Sequence, residues 1–292
     1  MCKVIKMKIG HKVDGKICEE YLAGASSIIL SRKYGVGQRT ILRILERYKV
    51  PRRSLHEAMR KYHADYSHFD IIDTPGKAYF LGFLVADAHL RPKNGYGNSA
   101  LRVNLALRDK KHLHKLLNEI KSNHPVHVCA EKHPSCWIEI RSNQLVGELH
   151  RHGVSYPGEL SRFSNLTPEL RNHFVRGIWD GDGALIKRCS GDWMWFITGQ
   201  FPLLAVVQQT LMKECNLRKT KIKKDVRRKA TYTLQYGGNL QVPRIVEWLY
   251  QGVTPQICLD RKAAKAAEMF ADLRARGAGL WLRRCEKKPG ET

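Results

Sequence analysis

The chain has 292 residues, 43% of them hydrophobic and 9% aromatic, and carries 51 Lys and Arg against 27 Asp and Glu, a formal net charge of +24. That length and apolar content allow a substantial core in two or three units and exclude a disordered polyelectrolyte, while the charge calls for a polyanionic partner whose counterions the lysines and arginines displace. No apolar run reaches the roughly eighteen residues needed to span a bilayer, the opening Met1-Cys2-Lys3-Val4-Ile5-Lys6 is too polar for a secretory leader, and the eight cysteines lack zinc-site spacing; no membrane, reduced thiols and a cytoplasmic, nucleoid-associated setting are expected.

Residues 1–64 are rich in Lys and Arg, and within them Ala25 to Tyr48 carries two apolar stripes separated by Gly35-Val36-Gly37. Ile28, Ile29, Val36, Ile41 and Leu45 are expected to bury between two helices. The arrangement resembles a helix-turn-helix of the resolvase and invertase type. The second helix would then present Gln38, Arg39, Arg43 and Arg47 to base edges and phosphates.

The next stretch, Thr74-Pro75-Gly76-Lys77-Ala78-Tyr79-Phe80-Leu81-Gly82-Phe83-Leu84-Val85-Ala86-Asp87-Ala88, returns later as Thr167-Pro168-Glu169-Leu170-Arg171-Asn172-His173-Phe174-Val175-Arg176-Gly177-Ile178-Trp179-Asp180-Gly181-Asp182-Gly183. Each copy starts with a capping Thr and a Pro suited to the first turn, then runs apolar through one Gly to an acid. Gly inside a helix costs about 0.5–1 kcal/mol relative to Ala, and close helix-to-helix approach is the compensation expected here. Side-by-side packing about a pseudo-two-fold axis would bring Asp87 and Asp182 out at one end, where they would attract Mg²⁺. A Ca²⁺ loop starting at Asp180 fails, because Ala184, Leu185 and Gly191 stand where ligands and the turn glycine are required.

Between and after these copies, Leu101-Arg102-Val103-Asn104-Leu105-Ala106-Leu107, Trp137-Ile138-Glu139-Ile140-Arg141 and Thr231-Tyr232-Thr233-Leu234-Gln235-Tyr236 alternate as half-buried strands. Their polar faces offer Arg102, Asn104, Arg141, Thr231, Thr233 and Gln235 to a groove. Helices are expected over residues 110–122, 144–152, 202–215 and 242–251, so that helix, strands, helix, strands, helix occurs twice. The run Arg218 to Lys229 crowds basic residues, among them Lys221, Lys223 and Arg227, and reads as a strand and loop gripping phosphates. A helix over 263–276 and a basic tail follow.

Phe80 to Ala88 and Val175 to Gly183 resemble the two signature helices of the LAGLIDADG homing endonucleases, in the form where both copies lie on one chain. The first copy departs from the pattern, with Val85 for the first acid and Ala88 for the final Gly. The resemblance implies an α+β fold in which two pseudo-symmetric αββαββα-like halves form an antiparallel saddle, preceded by the helix-turn-helix. The domains expected are 1–64, 65–164, 165–275 and a tail over 276–292. It further implies a monomeric, Mg²⁺- or Mn²⁺-dependent endonuclease that cuts both strands of a long double-stranded DNA target across the minor groove. Asp87 and Asp182 would ligate the metal. Gln200 or Thr198 in the second half, and Arg108 or Asp109 in the first, would order water. Lys262, with Lys221 as alternative, would be the late basic residue, and Val154 to Leu160 lacks its counterpart.

Rival readings are a regulator that binds without cutting and an intron maturase acting on RNA; an intein is not expected from Met1 and Thr292. The close pairs His112/His114 and His150/His152 lack the Asn or Asp frame of a histidine nuclease site, so no catalytic histidine is expected.

Overall fold

In the computed structural model, described over residues 11–52, 61–92, 98–154, 166–226 and 230–277, the chain divides into two units with the boundary after Tyr62. The first contains three short helices, α1 (His11–Leu22), α2 (Ser27–Lys33) and α3 (Gln38–Arg47). Ser26 caps α2 by accepting the Ile29 N–H at 3.1 Å, and Gly35 turns the chain out of it at φ +65°, a conformation that costs a side-chain-bearing residue far more. Ile17, Leu30, Ile41, Ile44 and Leu45 form the core of this unit. Val36 packs against it, but Ile28 and Ile29 do not bury; they are 50% and 58% exposed. The reason is α1, a third helix that local periodicity did not reveal, whose Ile17 and Tyr21 turn α2 so that Leu30 faces inward.

The second unit is built twice. Its first half runs α4 (Pro75–Asp87), β1 (Ala88–Arg91), β2 (Ala100–Ala106), α5 (Lys110–Glu119), β3 (His127–Cys129), β4 (Ser135–Arg141) and α6 (Asn143–Arg151). Its second half runs α7 (Pro168–Asp182), β5 (Gly183–Lys187), β6 (Trp193–Gly199), α8 (Phe201–Glu214), β7 (Lys223–Lys224), β8 (Tyr232–Gly237) and α9 (Gln241–Leu249), and α10 (Asp260–Ala275) follows. Each half folds its strands into a four-stranded antiparallel sheet, ordered β1-β2-β4-β3 and β5-β6-β8-β7. Alternation sends Leu101, Val103, Ile138 and Ile140 of one sheet, and Trp193, Trp195, Ile197 and Leu234 of the other, into a shared core under the helices. The opposite faces stay accessible. Strand β7 is two residues long, so most of the basic run from Arg218 is irregular, and Arg227 lies outside the described residues.

Helices α4 and α7 form the centre. The stretch Ala78 to Leu84 is buried all round, as is Asn172 to Asp180, the pattern of helices enclosed on every side. They touch through glycine. A Cβ on Gly82 would overlap the carbonyl of Phe174, and one on Gly177 would overlap the carbonyl of Tyr79, so the backbones pack directly against each other. Local packing accounts for one departure of the first copy, Ala88 in place of the final Gly. Gly183 is required because a methyl there would enter the Trp179 indole, whereas Ala88 follows the smaller Leu84. Gly181 lies against Ala86, leaving space for one methyl between them.

Gly82→Ala and Gly177→Ala are each expected to destabilise this unit by about 3 kcal/mol or more through overpacking. Gly147→Ala, in α6 with open space around it, is expected to stabilise by about 0.5–1 kcal/mol; denaturant midpoints check the contrast. Burial lowers His112 to about 3 and His173 to about 4. Because the unfolded chain binds those protons first, stability is complete above about pH 6.5 and falls below it by about 1.4 kcal/mol per pH unit for each histidine. Urea titrations at pH 4–7 are expected to show a shallower decline for His112→Phe than for the wild type.

Candidate metal and nucleic-acid site

The last residues of α4 and α7 are Asp87 and Asp182, delivered to one end of the helix pair by the glycine packing. A Cβ on Gly181 would stand 2.8 Å from Oδ2 of Asp87, which puts the Asp87 carboxyl against the final turn of α7. Asp87 is raised to about 7, first by burial and then by the charge of Asp182, with Lys262 and Arg261 pulling the other way. Two acids at the negative ends of two helices repel each other, and a divalent cation between them relieves that repulsion. No group of three or more His, Cys, Asp or Glu able to hold a metal occurs among the described residues. The acids coupled at this end are a pair rather than a cluster, and a hard ion such as Mg²⁺ accepts so sparse a protein contribution.

Lys262, at the start of α10, is 4% exposed. Its ammonium donates to the carbonyl of Trp179 and, at 2.6 Å, to that of Gly183, so it caps the end of α7 from inside. Burial lowers it to about 8 against the opposing pull of Asp180, Asp87 and Asp182. Asp180, two residues before the end of α7, accepts Tyr79 Oη–H at 2.7 Å and the Leu259 N–H at 2.9 Å; burial holds it above the ordinary carboxylate range. These bonds fasten the Leu259 to Lys262 segment onto α7. Lys221, the alternative to Lys262, is exposed in the loop before β7.

On the first-half side, a cavity of about 180 Å³ is lined by Asp87, Asn104, Arg108, Asp109, Asp180 and Arg261. Arg261 Nε meets both carboxylate oxygens of Asp109 at 3.1 Å. A 3₁₀ turn, Leu107–Asp109, carries Arg108 and Asp109 from the end of β2 to this position. In the second half, Thr198 donates to the backbone carbonyl of Asp182 at 3.0 Å. Gln200 is exposed as the cap residue of α8, and of the two water-ordering candidates in this half it is Thr198 that the structure places on Asp182.

Strand register sets the outward face of each sheet. Arg102 pairs across from Glu139, and Asn104 from Trp137; Arg102 donates to Asn104 at 3.3 Å and lies over the Trp137 ring at 5.4 Å. Arg141 and Arg91 both pair with Glu139. Thr233 stands between Thr198 and Lys223, and Gln235 faces Phe196; Thr231 precedes β8. In the N-terminal unit Gln38, Arg39, Arg43 and Arg47 are all exposed, with Gln38 bonded to Ser27 at 3.0 Å and Arg47 to the buried Asp14 at 3.1 Å. His112 is in the core, hydrogen-bonded at 3.2 Å to Tyr79 and edge-on to Phe83, while His114 on the same helix is exposed.

Sequence reasoning missed Arg176 and Arg261. Arg176 is fully buried on α7, donating to the carbonyls of Leu249 and Ile257 and to His173 Nδ1, with the rings of Tyr79 and Tyr250 at 5.1 and 5.9 Å. Its signal was an arginine directly before the motif glycine Gly177, inside the buried stretch Asn172 to Asp180. No helix among the described residues is long and apolar enough to cross a membrane.

No family model and no curated protein matches the chain. Among solved structures it is similar to the LAGLIDADG meganuclease I-AabMI bound to uncleaved DNA, at 12% identity over 71% of this chain and 92% of that one, with a TM-score of 0.46. It is similar to the I-LtrWI LAGLIDADG homing endonuclease bound to target DNA, at 8% identity over 69% and 91%, TM-score 0.48. I-DmoI in complex with DNA and Ca is similar at 18% identity over 70% and 99%, TM-score 0.46. At such distance the chemistry of the site stands on its own geometry.

Proposed function

We propose that this chain is a site-specific, metal-dependent endonuclease that hydrolyses both strands of a long double-stranded DNA target. The observation that carries the reading is the pair Asp87 and Asp182, one from each half, brought to a common end by glycine-locked helices, where burial first and the charge of Asp182 second raise Asp87 to about 7. Two open sheet faces flank that end on a chain of net charge +24, a surface suited to a duplex. Both acids lie on one chain, so a monomer is sufficient.

Hydrolysis of a phosphodiester needs water placed in line with the departing 3′ oxygen and compensation of the charge that develops on phosphorus oxygens. A Mg²⁺ or Mn²⁺ ion held by Asp87 and Asp182 supplies that compensation when bound. The Lys262 ammonium adds fixed positive charge behind Asp182, and its bonds to Trp179 and Gly183 keep the end of α7 from fraying. Thr198 fixes the Asp182 backbone, and Arg261, oriented by Asp109, points a guanidinium into the cavity beside Asp87. The exposed Arg39 and Arg43 give the N-terminal unit its own hold on DNA, in the manner of a helix-turn-helix.

Asp87→Asn and Asp182→Asn are each expected to lower Mg²⁺-dependent cutting at least about a hundredfold while leaving DNA binding intact. The substrate is DNA spanning the uninterrupted insertion site of the gene, resolved on gels that separate nicks from double-strand breaks. Normal cutting by both variants defeats the site assignment, and binding by the wild type with no Mg²⁺-dependent cutting points to a regulator. Replacing Arg39 and Arg43 by Ala is expected to weaken binding and to reduce the slope of log affinity against log salt by about 1 for each phosphate no longer neutralised; an unchanged slope excludes the N-terminal unit from DNA.

A further inference from the structure

The two halves share a backbone register but not a surface. Ala88 stands opposite Val103 where the first motif helix enters its sheet, and Gly183 stands opposite Ile197 in the second. Counting outward from those pairs, Arg91 corresponds to Ile186, Ala100 to Met194 and Arg102 to Phe196. On the third strand of each sheet, Glu139 corresponds to Gln235 and Arg141 to Gly237.

The face of the first sheet is a charged network, with Glu139 pairing both arginines and Arg102 braced by Asn104 and Trp137. At the points equivalent to Arg91, Ala100 and Arg102, on its first two strands, the second sheet is apolar, while Gln235 on its third strand stays polar. Ile186 is 39% exposed, and Met194 and Phe196 beside it are partly buried. The core of this half lies on the other side of the sheet, under Trp193, Trp195 and Ile197, so internal packing does not account for the patch. It begins one residue pair from Thr198 and Asp182, and cations flank it: Arg188 bonded to Met194 Sδ at 3.0 Å, and Lys223 at the edge of the sheet. An apolar strip with a basic border, continuous with the proposed cutting site, complements a DNA major groove at the one base substituent there that is apolar, the thymine 5-methyl group.

We infer that the two half-sites of the target are read by different chemistry: the half-site on the second sheet through thymine methyl groups against Ile186, Met194 and Phe196, and the other through hydrogen bonds to purines from Arg102 and Asn104 and their neighbours. This rests on the nuclease reading and specifies its substrate. Arginine pairs with guanine and asparagine with adenine by two hydrogen bonds each, whereas recognition of a methyl requires only a complementary apolar surface.

The test selects binding sites for the full chain from a random duplex pool without divalent metal, then replaces thymine by deoxyuridine in one half-site at a time, which removes the methyl and keeps every hydrogen-bonding group. Uracil in the thymine-rich half-site is expected to weaken binding about fourfold for each methyl that touches the protein, with less than about twofold effect in the other half-site. Repeating the selection with Phe196→Arg is expected to redirect preference in the thymine-rich half-site alone; Ile186→Thr, which trims an exposed apolar side chain and adds a hydroxyl, serves if that variant does not fold. Equal uracil effects in both half-sites, no effect in either, or redirection in the other half-site overturns the inference while leaving the nuclease reading in place. Failure of the pool to yield any preferred sequence overturns the nuclease reading itself.

Discussion

The structure depends on one interaction, the backbone of α4 lying directly against the backbone of α7 at Gly82 and Gly177. Any side chain at either position would separate the helices, and with them the two halves that each helix begins. The conformational cost of glycine in a helix is about 0.5–1 kcal/mol; close packing along two fully buried helices offsets it. Because each helix ends directly in the first strand of its sheet, the same packing also decides where both sheet faces and both terminal acids go.

Around it the structure concentrates polar groups that a core normally excludes. Arg176, Asp180, His112, His173 and Lys262 are all at least nine-tenths buried; Arg176, Asp180 and Lys262 tie the chain after α9 to α7, His173 bonds Arg176 within α7, and Tyr79 of α4 bonds both His112 and Asp180. Removing one member would leave the others buried and unpaired, the costly case for charges in a low-dielectric setting. The cluster is one-sided. Asp180 has Val85 as its counterpart in the first copy, and Arg176 has Leu81, so the two halves share architecture while only α7 carries this polar anchorage.

Much of this was legible in the sequence because it is periodic or repeated. The duplicated Thr-Pro start, the glycine and the terminal acid located both central helices, and the observed spans, Pro75–Asp87 and Pro168–Asp182, match them. The strand alternation through Val103, Ile138 and Leu234 sorted inward from outward residues. What misled was local pattern without tertiary context. Ile28 and Ile29 look like a buried stripe, yet α1 takes that side of the unit and leaves them in water. The dense basic run from Arg218 reads as a strand and loop, and of that strand only two residues, Lys223–Lys224, pair as β7.

Chain order alone therefore determined the doubled architecture, the two acids and the basic surface, since repetition, hydropathy period and net charge are properties of the sequence itself. Tertiary structure decided which basic residue reaches the acids, placing Lys262 rather than Lys221 at the end of α7, and brought Asp109 and Arg261 together across 152 positions. It also decided that equivalent positions on the two sheets carry charge in one half and apolar surface in the other. Those outcomes depend on register and on the meeting of distant segments, and no local window of sequence contains them.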